Sequence, residues 1–138
     1  MTKKKIFISY DYENDKGYKN LLLAWDANSD FDFSFYDSSV DVSVNSSDTA
    51  AIKRVISARI NQSTYFLCII GKKTYKSGWV DWEINKAIDL KKKLVAVKID
   101  KAYTSPNAIL NVGVIWALSF TFDNIKKAID NAVSGKIK

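Results

Sequence analysis

Histidine is absent from this chain of 138 residues, and cysteine and proline each occur once. Without histidine the chain can form no serine or cysteine triad with a histidine base, and it lacks a principal ligand of zinc sites. The single cysteine, Cys68, cannot form a disulfide within the chain, which excludes a disulfide-stapled secreted fold. These absences exclude most of the familiar enzyme classes.

Glycine and long apolar runs are also scarce. Glycine stands only at positions 17, 71, 78, 113 and 135, so neither a G-x-G-x-x-G turn nor a Walker loop is present. Strictly apolar runs, such as residues 66–70, have the length of a strand and are too short to cross a bilayer. The first ten residues hold too few apolar side chains for a signal peptide. We therefore expect a soluble, cytoplasmic protein without a membrane partner.

The length and the charge distribution describe one ordinary globular domain, residues 1–138. The net charge is +6, and it divides into −4 for residues 1–48 and +10 for residues 49–138. The lysines form short clusters at the ends of predicted elements, where helix C-termini and solvated loops favour cations. Because no basic stripe alternates with aromatic residues, we expect no nucleic-acid partner; an anionic small molecule fits the same charges.

Short apolar runs alternate with segments of helical periodicity along the whole chain. Apolar residues spaced i, i+3, i+4 predict helices, and β-rich runs bounded by polar or glycine residues predict strands. The predicted strands lie at residues 5–10, 31–36, 64–70, 94–99 and 114–119. The predicted helices begin near Asp15, at Ser47 or Asp48, near Ser77 and near Ile125, and residues 100–113 are predicted to be a loop.

This alternation is typical of βαβ units with right-handed crossovers and a parallel sheet. It predicts an α/β, flavodoxin-like three-layer fold, with five parallel strands in the order 2-1-3-4-5 and helices on both sides. Ligands of such sheets bind beyond the carboxyl ends of the strands. Residues 9–15, 37–48 and 71–83 are therefore the segments in which a functional site is expected.

Acidic residues are concentrated in the first of these segments. Asp11, Glu13 and Asp15 lie close enough in sequence for a metal site to be conceivable. The more ordinary interpretation is that these acids solvate a loop and that Asp15 caps the following helix. We expect no metal site.

The segment 77–84 carries an unusual pairing of a tryptophan and a glutamate. The chain has only two glutamates, Glu13 and Glu83, and Glu83 follows Trp79 by four residues, so both share one helical face. That face lies beside the apolar Val80/Ile84 stripe, which places a carboxylate at the edge of the core near a helix N-terminus. Compensation of the helix dipole by an early acid explains the pattern as well as a functional site does. Trp82 and Cys68 are expected to be packing residues.

Two motifs resemble those of the TIR domain family: F-I-S-Y-D at residues 7–11, and S-x-W-x-x-x-E at residues 77–83. The fuller pattern of residues 70–84 is similar to the bacterial TIR-like branch, which includes the TIR protein of the Thoeris anti-phage system. The resemblance covers nearly the whole chain and implies that Glu83 is catalytic. It also implies that the first βα loop and the loop after the second strand shape a nucleotide pocket. The substrate-binding residues expected there are Ser9, Tyr10, Asp11, Asp37 and Ser38, with Trp79 helping to exclude water.

The resemblance implies an enzyme that cleaves NAD+ as its substrate, needs no cofactor and releases nicotinamide. It further implies a cyclic ADP-ribose isomer as product, a separate effector that senses this messenger in anti-phage immunity, and self-association through TIR–TIR contacts. The loop 37–48 lacks the proline-containing signature of receptor TIR domains. Two alternatives stay open: a non-catalytic TIR interaction module, and a flavodoxin-like protein that binds a nucleotide without transforming it. Release of nicotinamide from NAD+ would separate the enzyme from both.

Overall fold

A computed structural model describes residues 4–11, 14–27, 33–37, 49–110 and 112–133 of the chain. Strands and helices alternate along these residues, with a short 3₁₀ helix, Thr74–Lys76, between the third strand and the third helix. The strands are β1 (Lys4–Ser9), β2 (Phe33–Asp37), β3 (Tyr65–Ile70), β4 (Lys93–Lys98) and β5 (Val114–Ala117). The helices are α1 (Lys16–Ala27), α2 (Thr49–Gln62), α3 (Gly78–Asp89), α4 (Asn107–Leu110) and α5 (Phe122–Val133).

The strands form one sheet in the order β2-β1-β3-β4-β5, and every neighbouring pair is parallel. The predicted α/β class, a parallel sheet flanked by helices, is confirmed. β3 lies at the centre, and all six of its residues are buried. This burial explains its unbroken apolar sequence, because a central strand covered on both faces has no solvent-facing positions to fill with polar residues.

Two hydrophobic clusters lie on opposite faces of the sheet, as the two-residue period of a strand requires. On one face Ile6, Ile8 and Tyr10 pack with residues of α1 and α5. On the other face Phe7 packs with residues of α2 and α3, and its ring stacks on that of its register partner Phe66 at 5.5 Å. Ser9 follows the same alternation and therefore points toward α3. The strand thus delivers a polar side chain to the helix that carries Glu83.

Three sequence predictions need correction. The i, i+3, i+4 apolar spacing that predicts the first two helices includes Leu21 and Val55, yet these are 39% and 38% exposed, whereas the next residues, Leu22 and Ile56, are buried and carry the packing. Residues 107–110 form a short helix inside a segment predicted to be a loop; it buries Ile109 against the α2/α3 face. The fifth strand ends at Ala117, two residues before the predicted end. Ser47 and Asp48, the alternative predicted starts of the second helix, lie outside the described residues.

Within residues 4–11, 14–27, 33–37, 49–110 and 112–133, no helix is both long and apolar enough to span a bilayer.

Candidate active site

Glu83 is carried by the second turn of α3, a helix whose start is defined by Ser77. The Ser77 hydroxyl accepts a hydrogen bond from the Val80 N–H at 3.2 Å, which satisfies one of the donors left open at a helix N-terminus. Val80, Glu83 and Ile84 share the buried face of α3. Packing of that face against the sheet therefore carries the carboxylate inward. The sequence placed Glu83 at the edge of the core, whereas its side chain is fully buried.

Ser9 and Glu83 are hydrogen-bonded across the interface between β1 and α3. The Ser9 hydroxyl donates to Oε1 of Glu83 at 2.8 Å, and neither side chain has exposed surface. Ser9 ends β1 and is the register partner of Cys68 in β3. The pair thus lies at the carboxyl end of two adjacent strands. In the order 2-1-3-4-5 the gap between β1 and β3 is the topological switch point, where ligands of such sheets bind.

Tyr10 and Asp11 follow Ser9, but their side chains take different directions. The Tyr10 ring is 1% exposed and belongs to the hydrophobic cluster on the α1/α5 face, with the Lys19 ammonium 5.7 Å from the ring centroid. The Asp11 carboxylate accepts a hydrogen bond from the Asn14 side chain at 2.6 Å, and its carbonyl accepts from the Asp15 N–H at 2.9 Å. Both residues therefore build the first βα turn, and a role of either in binding substrate stays a prediction.

Asp37 and Trp79 approach the same edge from other elements. Asp37 ends β2 and is the register partner of Ile8, so its backbone lies beside the residue that precedes Ser9 in β1. Ser38 lies outside the described residues. Trp79 is half-buried in the first turn of α3 and meets Trp82 edge-on at 6.0 Å. Trp82 packs in turn beneath the Lys53 ammonium of α2, which fits the packing role expected of it.

Cys68 lies in β3 opposite Ser9, and its thiol is influenced by two acidic side chains of this region. Complete burial raises the pKa of its thiol far above the ordinary value, and the negative charges of Glu83 and then Asp15 raise it further. The thiol therefore stays protonated at neutral pH, and Cys68 is a buried small apolar residue rather than a nucleophile.

A second buried polar group, which the sequence did not indicate, adjoins this site. Asp15 was expected to cap α1 with its side chain. Its carbonyl does accept from the Tyr18 N–H at 3.1 Å, but its carboxylate lies against Gly71 and Thr74 in the loop after β3. Burial raises the pKa of the Asp15 carboxyl, Thr74 lowers it through a hydrogen bond, and the charge of Asp11 raises it. Because 59 positions separate Asp15 from Thr74, the spacing of neighbouring residues in the sequence could not indicate this contact.

Asp15 also lines a cavity of about 180 Å³. Its lining comes from the segments that follow β1, β3 and β4, and includes Tyr18, Lys72, Lys73 and Tyr103. Glu83 and the predicted substrate-binding residues are absent from that lining within the described part of the chain. Across the same residues, no three His, Cys, Asp or Glu side chains lie together as metal ligands would.

Comparison with protein families gives one match that covers most of the chain. The sequence profile of the family described as "Thoeris protein ThsB, TIR-like domain" matches residues 7–104. That range contains both sequence motifs and every predicted site residue. Comparison with curated proteins finds no match.

Solved structures resemble the fold at low sequence identity. A 2-deoxyribosyltransferase from Bacillus psychrosaccharolyticus superposes with a TM-score of 0.66 at 13% identity, over 88% of this chain and 90% of that chain. A 3-dehydroquinate dehydratase-like protein from Bifidobacterium longum has a TM-score of 0.48 at 16% identity, over 97% of both chains. At these identities the first likeness describes the fold alone.

Proposed function

The chain belongs to the Thoeris ThsB TIR-like family, and from this membership we propose that it is an enzyme that cleaves NAD+ with Glu83 as its catalytic carboxylate. The proposed products are nicotinamide and a cyclic ADP-ribose isomer, and a separate effector would sense the cyclic product during anti-phage defence. NAD+ is the substrate, and the proposal includes no cofactor.

One observation carries the assignment of Glu83. Its carboxylate lies at the switch point of the sheet, held by the Ser9 hydroxyl at 2.8 Å, with both side chains fully buried. A carboxylate kept inside a protein must be compensated by hydrogen bonds or charges, and folds retain such groups most often where function requires them. If residue 83 served only the packing of α3, an apolar residue would be sufficient at this position. The presence of a carboxyl group at this buried position therefore supports a chemical role.

The chemistry of NAD+ cleavage fits a chain without histidine. Breaking the bond between nicotinamide and ribose expels neutral nicotinamide from a pyridinium, so no general acid is needed. The bond electrons leave with nicotinamide, and positive charge develops on the ribose as an oxocarbenium ion. A fixed carboxylate such as that of Glu83 stabilises this charge. Cyclisation follows if a group of the same nucleotide reaches the anomeric carbon before water does.

The burial of Glu83 sets a condition on this activity. A side chain with no exposed surface cannot contact ribose until the groups that cover it move. We propose that self-association through TIR–TIR contacts, or a trigger, brings about that movement. The isolated chain would then be weakly active or inactive.

The same burial supports a second candidate, a non-catalytic TIR interaction module. In that case the Ser9–Glu83 hydrogen bond only stabilises the packing of α3 on the sheet. The two candidates differ in one measurable property, the release of nicotinamide.

The experiment is incubation of the purified chain with NAD+ over a range of protein concentrations, with chromatographic detection of nicotinamide, ADP-ribose and cyclic products. Release by the wild type and its loss in Glu83→Gln support the enzyme. No release at any concentration, including conditions in which the chain is oligomeric, overturns activation by self-association alone and favours the interaction module. Nicotinamide together with linear ADP-ribose alone would support hydrolysis and overturn the proposed cyclisation.

A further inference from the structure

The side chain of Thr74 joins two loops at the carboxyl edge of the sheet. Thr74 is fully buried at the start of the 3₁₀ helix, and its hydroxyl oxygen accepts a hydrogen bond from the Gly71 N–H at 2.7 Å. The hydroxyl has one hydrogen to donate, and the nearer acceptor is Oδ2 of Asp15 at 3.2 Å, ahead of the Ile69 carbonyl at 3.5 Å. Thr74 thus connects the loop after β3 to the residue that precedes α1.

Gly71 brings the backbone of that loop into direct contact with Asp15. A Cβ atom at position 71 would lie 2.3 Å from Oδ2 of Asp15 and 2.6 Å from its Cγ, closer than such atoms approach each other. Only glycine leaves room for the carboxylate. We call Asp15, Gly71 and Thr74 the loop clamp, because together they hold the start of α1 against the end of β3.

The loop clamp is connected to Glu83 through consecutive hydrogen-bonded turns. The Ser77 N–H donates to the Thr74 carbonyl at 3.0 Å, and the Asp81 N–H donates to the Ser77 carbonyl at 3.1 Å. Between Thr74 and Glu83 the chain is helical except at Ser77, whose side chain caps α3. Ser77 is extended, so the 3₁₀ helix and α3 are two separate segments, joined by the bond from the Ser77 N–H to the Thr74 carbonyl and by the cap of α3 at Ser77. A shift of Thr74 would therefore move the residue at which α3 begins, and with it Glu83.

The fold keeps the Asp15 carboxylate in a place that does not favour its charge. Burial raises the pKa of Asp15, and the neighbouring charge of Asp11 acts in the same direction. An amide or a small apolar residue would avoid this cost. Groups with a shifted pKa are concentrated at functional sites.

We infer that Asp15 and Thr74 are positioning residues for Glu83: the loop clamp fixes the register between the first βα loop and α3, and thereby the place of the catalytic carboxylate. This inference rests on the proposed NAD+ cleavage. Neither residue needs to touch the substrate. A misplacement of about 1 Å at a reacting centre can lower a rate on the order of a hundredfold, so a hydroxyl distant from the chemistry can control turnover.

The test compares Thr74→Val, which keeps the shape but removes the hydroxyl, with Thr74→Ser, which keeps the hydroxyl. Under conditions in which the wild type releases nicotinamide, Thr74→Val should lower kcat on the order of tenfold to a hundredfold with little change in KM. Thr74→Ser should restore kcat to within about threefold, since the hydroxyl contacts remain. Combining Asp15→Ala with Thr74→Val should lower kcat no further than the larger single effect. A folded Thr74→Val protein with the wild-type kcat would overturn the inference.

A second readout does not depend on activity. Amide hydrogen exchange of residues 78–83 should be faster in Thr74→Val than in the wild type and in Thr74→Ser, with exchange in α5 unchanged. If the wild type releases no nicotinamide, the proposed function fails. Amide hydrogen exchange then still tests whether the loop clamp holds the start of α3. Exchange in residues 78–83 that matches the wild type would overturn it. Should Thr74→Val not fold, Asp15→Ala takes its place in both measurements, with the same two outcomes.

Discussion

The hydroxyl of Ser9 and the Oε1 atom of Glu83 lie 2.8 Å apart, although 74 positions separate the two residues in the chain. The contact forms because β1 alternates its side chains between the two faces of the sheet and α3 packs on the face that Ser9 reaches. Ser9 was expected to bind substrate. In the structure the Ser9 hydroxyl donates its hydrogen to Glu83. The direct effect of Ser9 is therefore to position that carboxylate.

The part of this contact's energy that depends on the charge of Glu83 can be measured with a double-mutant cycle. Ser9→Ala should lower the free energy of unfolding by about 1.5–3 kcal/mol, because it removes a buried hydrogen bond to a carboxylate. In the Glu83→Gln background the same change should cost only about 0.5–1.5 kcal/mol, since the acceptor is then neutral. Urea unfolding of the four proteins measures the coupling. Equal costs in both backgrounds would show that a charge on residue 83 adds nothing to the strength of the bond.

Glu83→Gln tests the catalytic assignment. Glutamine keeps the size and an oxygen that accepts from Ser9, but it removes the charge that would face the oxocarbenium ion. Turnover of NAD+ should fall about a hundredfold to a thousandfold while the protein stays folded. Asp81→Asn is the matched control, because Asp81 lies two residues earlier in α3, is partly exposed and pairs with Asn85. Glu83→Gln at the wild-type rate would end the assignment. Glu13→Gln, at the other glutamate, is a second control, although Glu13 lies outside the described residues.

Cys68→Ala tests the packing role of the single cysteine. The side chain is fully buried in β3, so its loss should lower the free energy of unfolding by about 1 kcal/mol and leave NAD+ turnover nearly unchanged. Because the pKa of the thiol is raised, native protein should also resist alkylation by iodoacetamide at pH 8, and urea-unfolded protein should react. Rapid labelling of the native protein, or inactivity of a stable Cys68→Ala protein, contradicts this expectation.

Asp15→Asn should change how stability depends on pH. The pKa of Asp15 in the folded chain lies above its ordinary value of 3.8, so the folded state binds more protons than the unfolded state above that pH. The contribution of Asp15 to stability is therefore lost as the pH rises from about 3.8 through the folded pKa. The asparagine variant should lose this dependence and be at least as stable as the wild type at pH 7. Urea unfolding at several pH values measures the difference, with the exposed Asp130→Asn as control.

Activity should depend on assembly. Since Glu83 has no exposed surface in the isolated chain, NAD+ turnover per mole of protein should rise with concentration, in parallel with oligomer formation. Turnover is measured across a dilution series, and light scattering after size-exclusion chromatography gives the mass over the same range. Full NAD+ turnover by a demonstrable monomer, unchanged on dilution, would contradict this prediction.

Local patterns in the sequence were sufficient for the order of the strands and long helices and for the family, although they missed the short helix α4. Apolar spacing predicted the long helices and the buried central strand, because periodicity reflects which side of an element is covered. The F-I-S-Y and W-x-x-x-E motifs lie in the range that the family profile matches. The same spacing did not show that Leu21 is exposed, since a helix can turn any part of a broad apolar face toward solvent.

The sequence by itself determined an α/β chain with a parallel sheet, a buried Cys68, and a glutamate one turn after a tryptophan at a helix start. Only the tertiary structure decided that Glu83 is fully buried, that Ser9 holds it, and that Asp15 bonds to Thr74 rather than capping its own helix with its side chain. The physical reason is the separation of the contacting residues along the chain. Periodicity records neighbours three or four residues apart, whereas these contacts join residues 59 and 74 positions apart and exist only after the sheet has brought its strand ends together.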